Sequence, residues 1–95
     1  MANATKTTVK VAEYRRAIDR VHQWLTSAKS ASRMVGEWST EIERALRAAQ
    51  DLGGLHCARA TADDRSRALR AIGAVREHIA SRLDGLQDQI VDAHV

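Results

Sequence analysis

Apolar residues recur along the first half of the chain at strictly alternating spacings of three and four: Tyr14, Ala17, Val21, Trp24, Ala28, Ala31, Val35, Trp38, Ile42, Ala45, Ala49 and Leu52. A second row on the same flank supplies Ile18, Leu25 and Leu46 and lapses to Ser32 and Ser39 between them. This spacing predicts an amphipathic helix with a narrow apolar seam, of the kind that packs lengthwise on another helix. Read as one helix from about 9 to 52, at about 1.5 Å per residue, it is roughly 60 Å long, more than one small compact domain can cover. The soft point is the middle, where Ser27, Ser30, Ser32, Gly36 and Ser39 cluster and Thr40 with Glu43 can form a capping box. The seam keeps its phase across this stretch, which favours continuity; a break near Gly36, giving three helices, is the alternative.

Residues 1–8 are small, polar and aperiodic and read as a disordered arm, with Thr7 or Thr8 as the N-cap of the first helix. Gly53-Gly54 is expected to close that helix in a left-handed conformation, opening a turn over 53–61. Thr61 followed by Asp63 and Asp64 marks a second start, since a hydroxyl and acids suit the positive end of a helix. The last helix then spans about 62–92, with Leu69, Ile72, Ile79, Leu83, Leu86, Ile90 and Ala93 as its seam and Arg76 as the one charged interruption. Two periodic segments around a short turn predict an all-α, coiled-coil-like antiparallel hairpin. In that register the basic residues from Lys6 to Arg20 lie towards the end carrying Asp84, Asp88 and Asp92, and Tyr14 and Ile18 overhang uncovered.

Composition changes this picture in one respect. The chain has 95 residues, no proline or phenylalanine, and a 44% hydrophobic content that leans on alanine. Alanine favours helix but buries little surface, so a lone hairpin would be weakly cored. Self-association or a helical protein partner would remedy that, and the candidate interface residues are Tyr14, Ile18, Val21, Trp24, Val35 and Trp38. Trp24 and Trp38 lie two heptads apart on one seam; packing within the hairpin and anchoring in an interface remain equally open. The net charge of +3 is too small to imply a nucleic-acid partner by itself. Arg59, Arg65, Arg67, Arg70 and Arg76 gather near the turn, but Asp63, Asp64 and Glu77 dilute them, so a solvated face is the preferred reading.

No catalytic signature is present, and no enzyme, cofactor or metal site is expected. His56-Cys57 in the turn lacks a second ligand pair, and His22, His78 and His94 lack helical metal-site spacing. The single Cys57 excludes an internal disulfide and is silent on compartment. The N-terminus lacks the apolar block of a cleaved signal peptide, and no run is apolar enough to span a membrane. The expected location is therefore cytoplasmic, or outside the cell by a route that needs no cleaved signal.

Tyr14-Arg-Arg-Ala-Ile18-Asp19-Arg20 followed by Trp24-Leu25 resembles the Tyr-x-x-x-Ile-Asp-x-x-x-x-Trp-Leu stretch in the first rod helix of flagellins and hook–filament junction proteins. Ala48-Ala49-Gln50-Asp51-Leu52, the glycine-bearing turn and Thr61-Ala62-Asp63-Asp64-Arg65 are similar to that family's Ala-Arg-Glu-Leu, turn and Ser-Asp-Glu-Asp-Arg helix start. The resemblance spans about residues 12–86 and implies a bacterial structural or assembly protein, extracellular and built as an isolated core hairpin. Polymerisation is not carried over, because the terminal segments that polymerise filaments have no counterpart. On architecture alone the chain is also similar to small helical hairpins exported by type VII secretion. Trp38 is followed by Ser39-Thr40 instead of the Trp-x-Gly turn, and the C-terminal Tyr-x-x-x-acid signal is missing. A weak nucleic-acid-binding helical protein is the remaining alternative.

Overall fold

The structure is a computed structural model that describes residues 6–31 and 40–93, with side chains described for 6–30 and 40–84. The fold is all-α, with one small strand pair among the described residues. Its elements are β1 (Thr7–Thr8), α1 (Val11–Ala31), α2 (Thr40–Gly53), β2 (Leu55–His56) and α3 (Ala62–Ala93). All three helices pack on one another. At about 1.5 Å per residue, α3 alone runs close to 48 Å and accounts for most of the 54 Å long axis.

The helix expected to run unbroken from about 9 to 52 is two helices. Tyr14 and Leu52 belong to one core cluster, whereas a straight helix would hold them roughly 57 Å apart. The chain therefore reverses between Ala31 and Thr40, as in the three-helix alternative; Gly36, Val35 and Trp38 lie outside the described residues. Retention of phase did not indicate continuity, because two halves that face each other across a hairpin need the same apolar stripe. Folding back buries Tyr14, Ile18, Val21, Leu25 and Ala28 of α1 with Ile42, Ala45, Ala48, Ala49 and Leu52 of α2. The deepest row on α1 runs through Ile18 and Leu25, while Ala17 and Trp24 are only partly buried.

Thr7–Thr8, expected within a disordered arm, pairs in parallel with Leu55–His56. The amide of Thr7 donates to the carbonyl of Gly54 and that of Val9 to the carbonyl of His56, both at 2.9 Å. Thr7 and Thr8 are consequently strand residues and do not cap α1, whose first turn closes from the amide of Tyr14 to the carbonyl of Lys10 at 3.0 Å. Gly53 and Gly54 do end α2, but neither adopts a left-handed backbone. The closure comes instead from the Gly54 amide, shared between the carbonyls of Gln50 and Asp51 at 3.1 Å each.

A Cβ added at Gly53 would meet only the Ile72 Cδ1 at 3.9 Å, an ordinary contact. Gly53→Ala is thus expected to stabilise the protein by about 0.5–1 kcal/mol, by restricting the unfolded chain and favouring the last helical turn. Urea denaturation of the two proteins checks this; a loss of stability would show that the turn needs glycine there.

α3 runs alongside α1 in the same direction, which corrects the expected charge register. Arg15 pairs with Asp64 and Arg67 with Asp19, so the basic N-terminal end of α1 lies beside the start of α3 and not beside Asp84; Asp88 and Asp92 are outside the described side chains. The result is an up-down-up bundle in which Tyr14 and Ile18 are covered rather than overhanging.

Candidate functional site

The start of α3 is held by a reciprocal cap. The Asp64 amide donates to Thr61 Oγ1 and the Thr61 amide donates to Asp64 Oδ2, both at 3.0 Å. This is a capping box with aspartate in the acidic role. The same carboxylate accepts two bonds from Arg15, Nε to Oδ1 at 3.1 Å and Nη2 to Oδ2 at 3.2 Å. The Arg15 guanidinium, followed by the Thr61 amide, holds the buried Asp64 carboxyl down at about 2. A fork of this kind tolerates little rotation. It therefore turns the row Asp64, Ala68, Ala71, Val75 inward, and these four residues are all buried.

That rotation overturns the expected seam of α3. With the alanine row inside, Leu69 is 72% exposed and Leu83 52% exposed, while Ile72 and Ile79 are only partly buried. Leu86, Ile90 and Ala93 lie outside the described side chains. Alanines let α3 approach α1 closely, and the larger Leu/Ile row is left about a quarter-turn away, on the side facing α2. There it borders a groove of about 300 Å³ lined by Leu46, Ala49 and Gln50 of α2 and by Ile72, Val75, Arg76 and Ile79 of α3. Leu69 and Leu83 lie outside that lining, on the same row of α3 as Ile72, Arg76 and Ile79, and extend it as a strip along the helix.

The residues singled out as interface candidates divide differently. Tyr14, Ile18 and Val21 are core residues that pack within the chain. Trp24 is partly buried against that core, and the Arg44 guanidinium lies over its ring at 4.9 Å from the centroid. Arg20 and Arg47 approach the same spot together with Asp51, so the tryptophan face is already occupied by a cation. Val35 and Trp38 cannot be placed, being outside the described residues. Sequence reasoning missed Leu69 and Leu83 as surface residues. The available signal was that α3 carries two rows at helical spacing, one of which contains Asp64, a residue that burial requires to be paired.

Other chemistry is sparse. Cys57 is buried and free, and His56 beside it is exposed. His78 is held below its ordinary pKa by burial and by the nearby cations Lys29 and Arg82. Among the described residues no group of three His, Cys, Asp or Glu side chains is placed to hold a metal ion. None of the described helices is long and apolar enough to cross a membrane. No protein-family model, curated protein or solved structure matches the chain.

Proposed function

We propose that this protein is a non-enzymatic helix-docking module with a structural or assembly role, acting through the strip formed by Leu69, Leu83 and the α2–α3 groove. The observation that carries this reading is the inversion on α3: alanines face the core while leucines face water. Burying a leucine contributes on the order of 1.5–3 kcal/mol, so a helix laid along this strip would gain several such contributions. An exposed apolar row of this kind marks an interaction surface more often than scattered surface leucines do. The assembly role implied by the flagellin resemblance enters only in this coarse form, as helix packing on a partner. Neither export nor filament formation is part of the proposal.

A photo-crosslinking amino acid placed at Leu69 or Leu83, in the protein made in its own cells, tests the reading. Protein adducts are expected from both positions and not from Glu77, an exposed position farther round α3. Equal yields from all three positions would remove the strip as an interface. Leu69→Gln is expected to change the stability of the isolated protein by less than about 0.5 kcal/mol and Leu83→Gln, at a half-exposed position, by no more than about 1 kcal/mol. Thermal melts of the variants check this; a large loss would place these leucines in a packing role within the chain.

A further inference from the structure

We infer that the α2–α3 groove takes an amphipathic helix of another protein whose apolar row is interrupted by acidic residues, and that it does not take a second copy of this chain. The inference rests on the docking reading above and specifies the chemistry of the partner.

The row of α3 that borders the groove reads Arg65, Leu69, Ile72, Arg76, Ile79, Leu83 in spatial order, and Ile72, Arg76 and Ile79 line the groove itself. Both charges in that row are arginines, and both residues are exposed. Neither guanidinium has an ion-pair partner among the described residues. The nearby acids do not neutralise the row. At about 100° per residue, Glu77 and Asp84 project roughly 100–120° round the helix from its middle, and Asp63 farther still. On the opposite bank α2 contributes Leu46, Ala49 and the neutral Gln50, and Glu43, one turn from Leu46, borders a different depression with Arg44 and Arg47. A ligand for this surface must supply apolar side chains at helical spacing and negative charge within the same stripe.

A second copy supplies the wrong charge. Two-fold symmetry sets residue i against j and j against i. With the two α3 helices antiparallel and centred on the row, Arg65 meets Leu83, Leu69 meets Ile79 and Arg76 meets Ile72; shifted to centre on Arg76, Arg76 meets Arg76. With the helices parallel, Arg65 meets Arg65 and Arg76 again meets itself. Each pairing leaves the arginines against another arginine or against an aliphatic side chain, with no acid to meet them. A foreign helix has no such constraint. Arg65 and Arg76 are separated by eleven residues, about 16 Å or three turns along the helix, so carboxylates at a matching separation would meet both.

The test is a selection of displayed helical peptides of about 18 residues, with apolar spacing held constant and the positions between randomised, on the full-length protein. Enriched peptides are expected to carry two acidic residues about three turns apart. Their binding, read by fluorescence anisotropy, should be lost with Ile79→Lys. Arg76→Glu, an exposed change that leaves the core untouched, should weaken it by at least about tenfold, and replacing the facing peptide acid by lysine should restore it. Groove-binding peptides without an acidic preference would overturn the inference and leave the docking reading standing. No groove-binding peptide at all would overturn both. A wild-type dimer in sedimentation equilibrium that Arg76→Glu strengthens or Ile79→Lys dissolves would overturn the inference in favour of a second copy.

Discussion

Ile18→Ala is expected to lower the unfolding free energy by about 2–5 kcal/mol, the range for removing a large aliphatic side chain from a core that relaxes only partly. Ile18 is 0% exposed and belongs to the cluster joining Tyr14, Val21 and Leu25 of α1 to Ala45, Ala49 and Leu52 of α2. A chain of this length has a total stability of roughly 5–14 kcal/mol, so the loss is a large fraction of it. Alanine already fills much of this core, leaving few bulky neighbours able to collapse into the space. Urea denaturation at several protein concentrations is the measurement. Because the burial is within one chain, the difference between wild type and variant should not change with concentration. A deficit that vanishes at high concentration would place Ile18 in contact with another chain, as the extended reading of the first seam expected.

Asp64→Asn should abolish a distinct acid limb in the stability profile and destabilise the protein at neutral pH. The folded-state carboxyl sits at about 2 because Arg15, then the Thr61 amide, bond to its charged form, against an ordinary value of 3.8. Between those two values the unfolded chain binds more protons than the folded one, so stability rises with pH. The contribution of this group is therefore complete above 3.8 and is lost as pH falls through about 2. Asparagine keeps the shape but cannot offer two acceptor oxygens or a charge to the Arg15 fork, and one of its two positions becomes a donor. Melting temperatures of wild type and variant should differ most near pH 7 and draw together as the pH approaches 2. Parallel curves across that range would show that the carboxylate charge does not secure α3. The consequence extends to the docking strip, since the same fork sets which row of α3 faces outward; a weakened Asp64 variant should also bind helical peptides less well.

Much of this protein's local structure was legible in its residues. The 3-4 spacing that begins at Tyr14 marks α1 and α2, Gly53-Gly54 marks where α2 stops, and Thr61 with Asp64 marks the start of α3. Each depends on groups within a turn or two of one another, where spacing, backbone freedom and side-chain hydrogen bonds act directly. The all-α class follows from the same local signals. Two other features were not legible. An unbroken apolar phase is compatible both with a straight helix and with a hairpin whose halves face each other, so the reversal between Ala31 and Thr40 was open. The second was the inner face of α3. Hydrophobicity alone favours Leu69, Ile72, Ile79 and Leu83, yet the buried row is Asp64, Ala68, Ala71 and Val75.

Tertiary structure decided both, because the determining contacts join distant parts of the chain. Arg15 reaches Asp64 across 49 residues, and Thr7–Thr8 pairs with Leu55–His56. These contacts draw the start of α1 against the turn that precedes α3 and set α3 parallel to it. The Arg15 fork holds Asp64 on the inward side of α3, together with Ala68, Ala71 and Val75, and Leu69 and Leu83 are left on the outward side. The helices and their ends were thus determined by sequence-local chemistry, whereas the face that α3 turns outward was fixed by contacts between residues far apart in the chain, Arg15 with Asp64 among them.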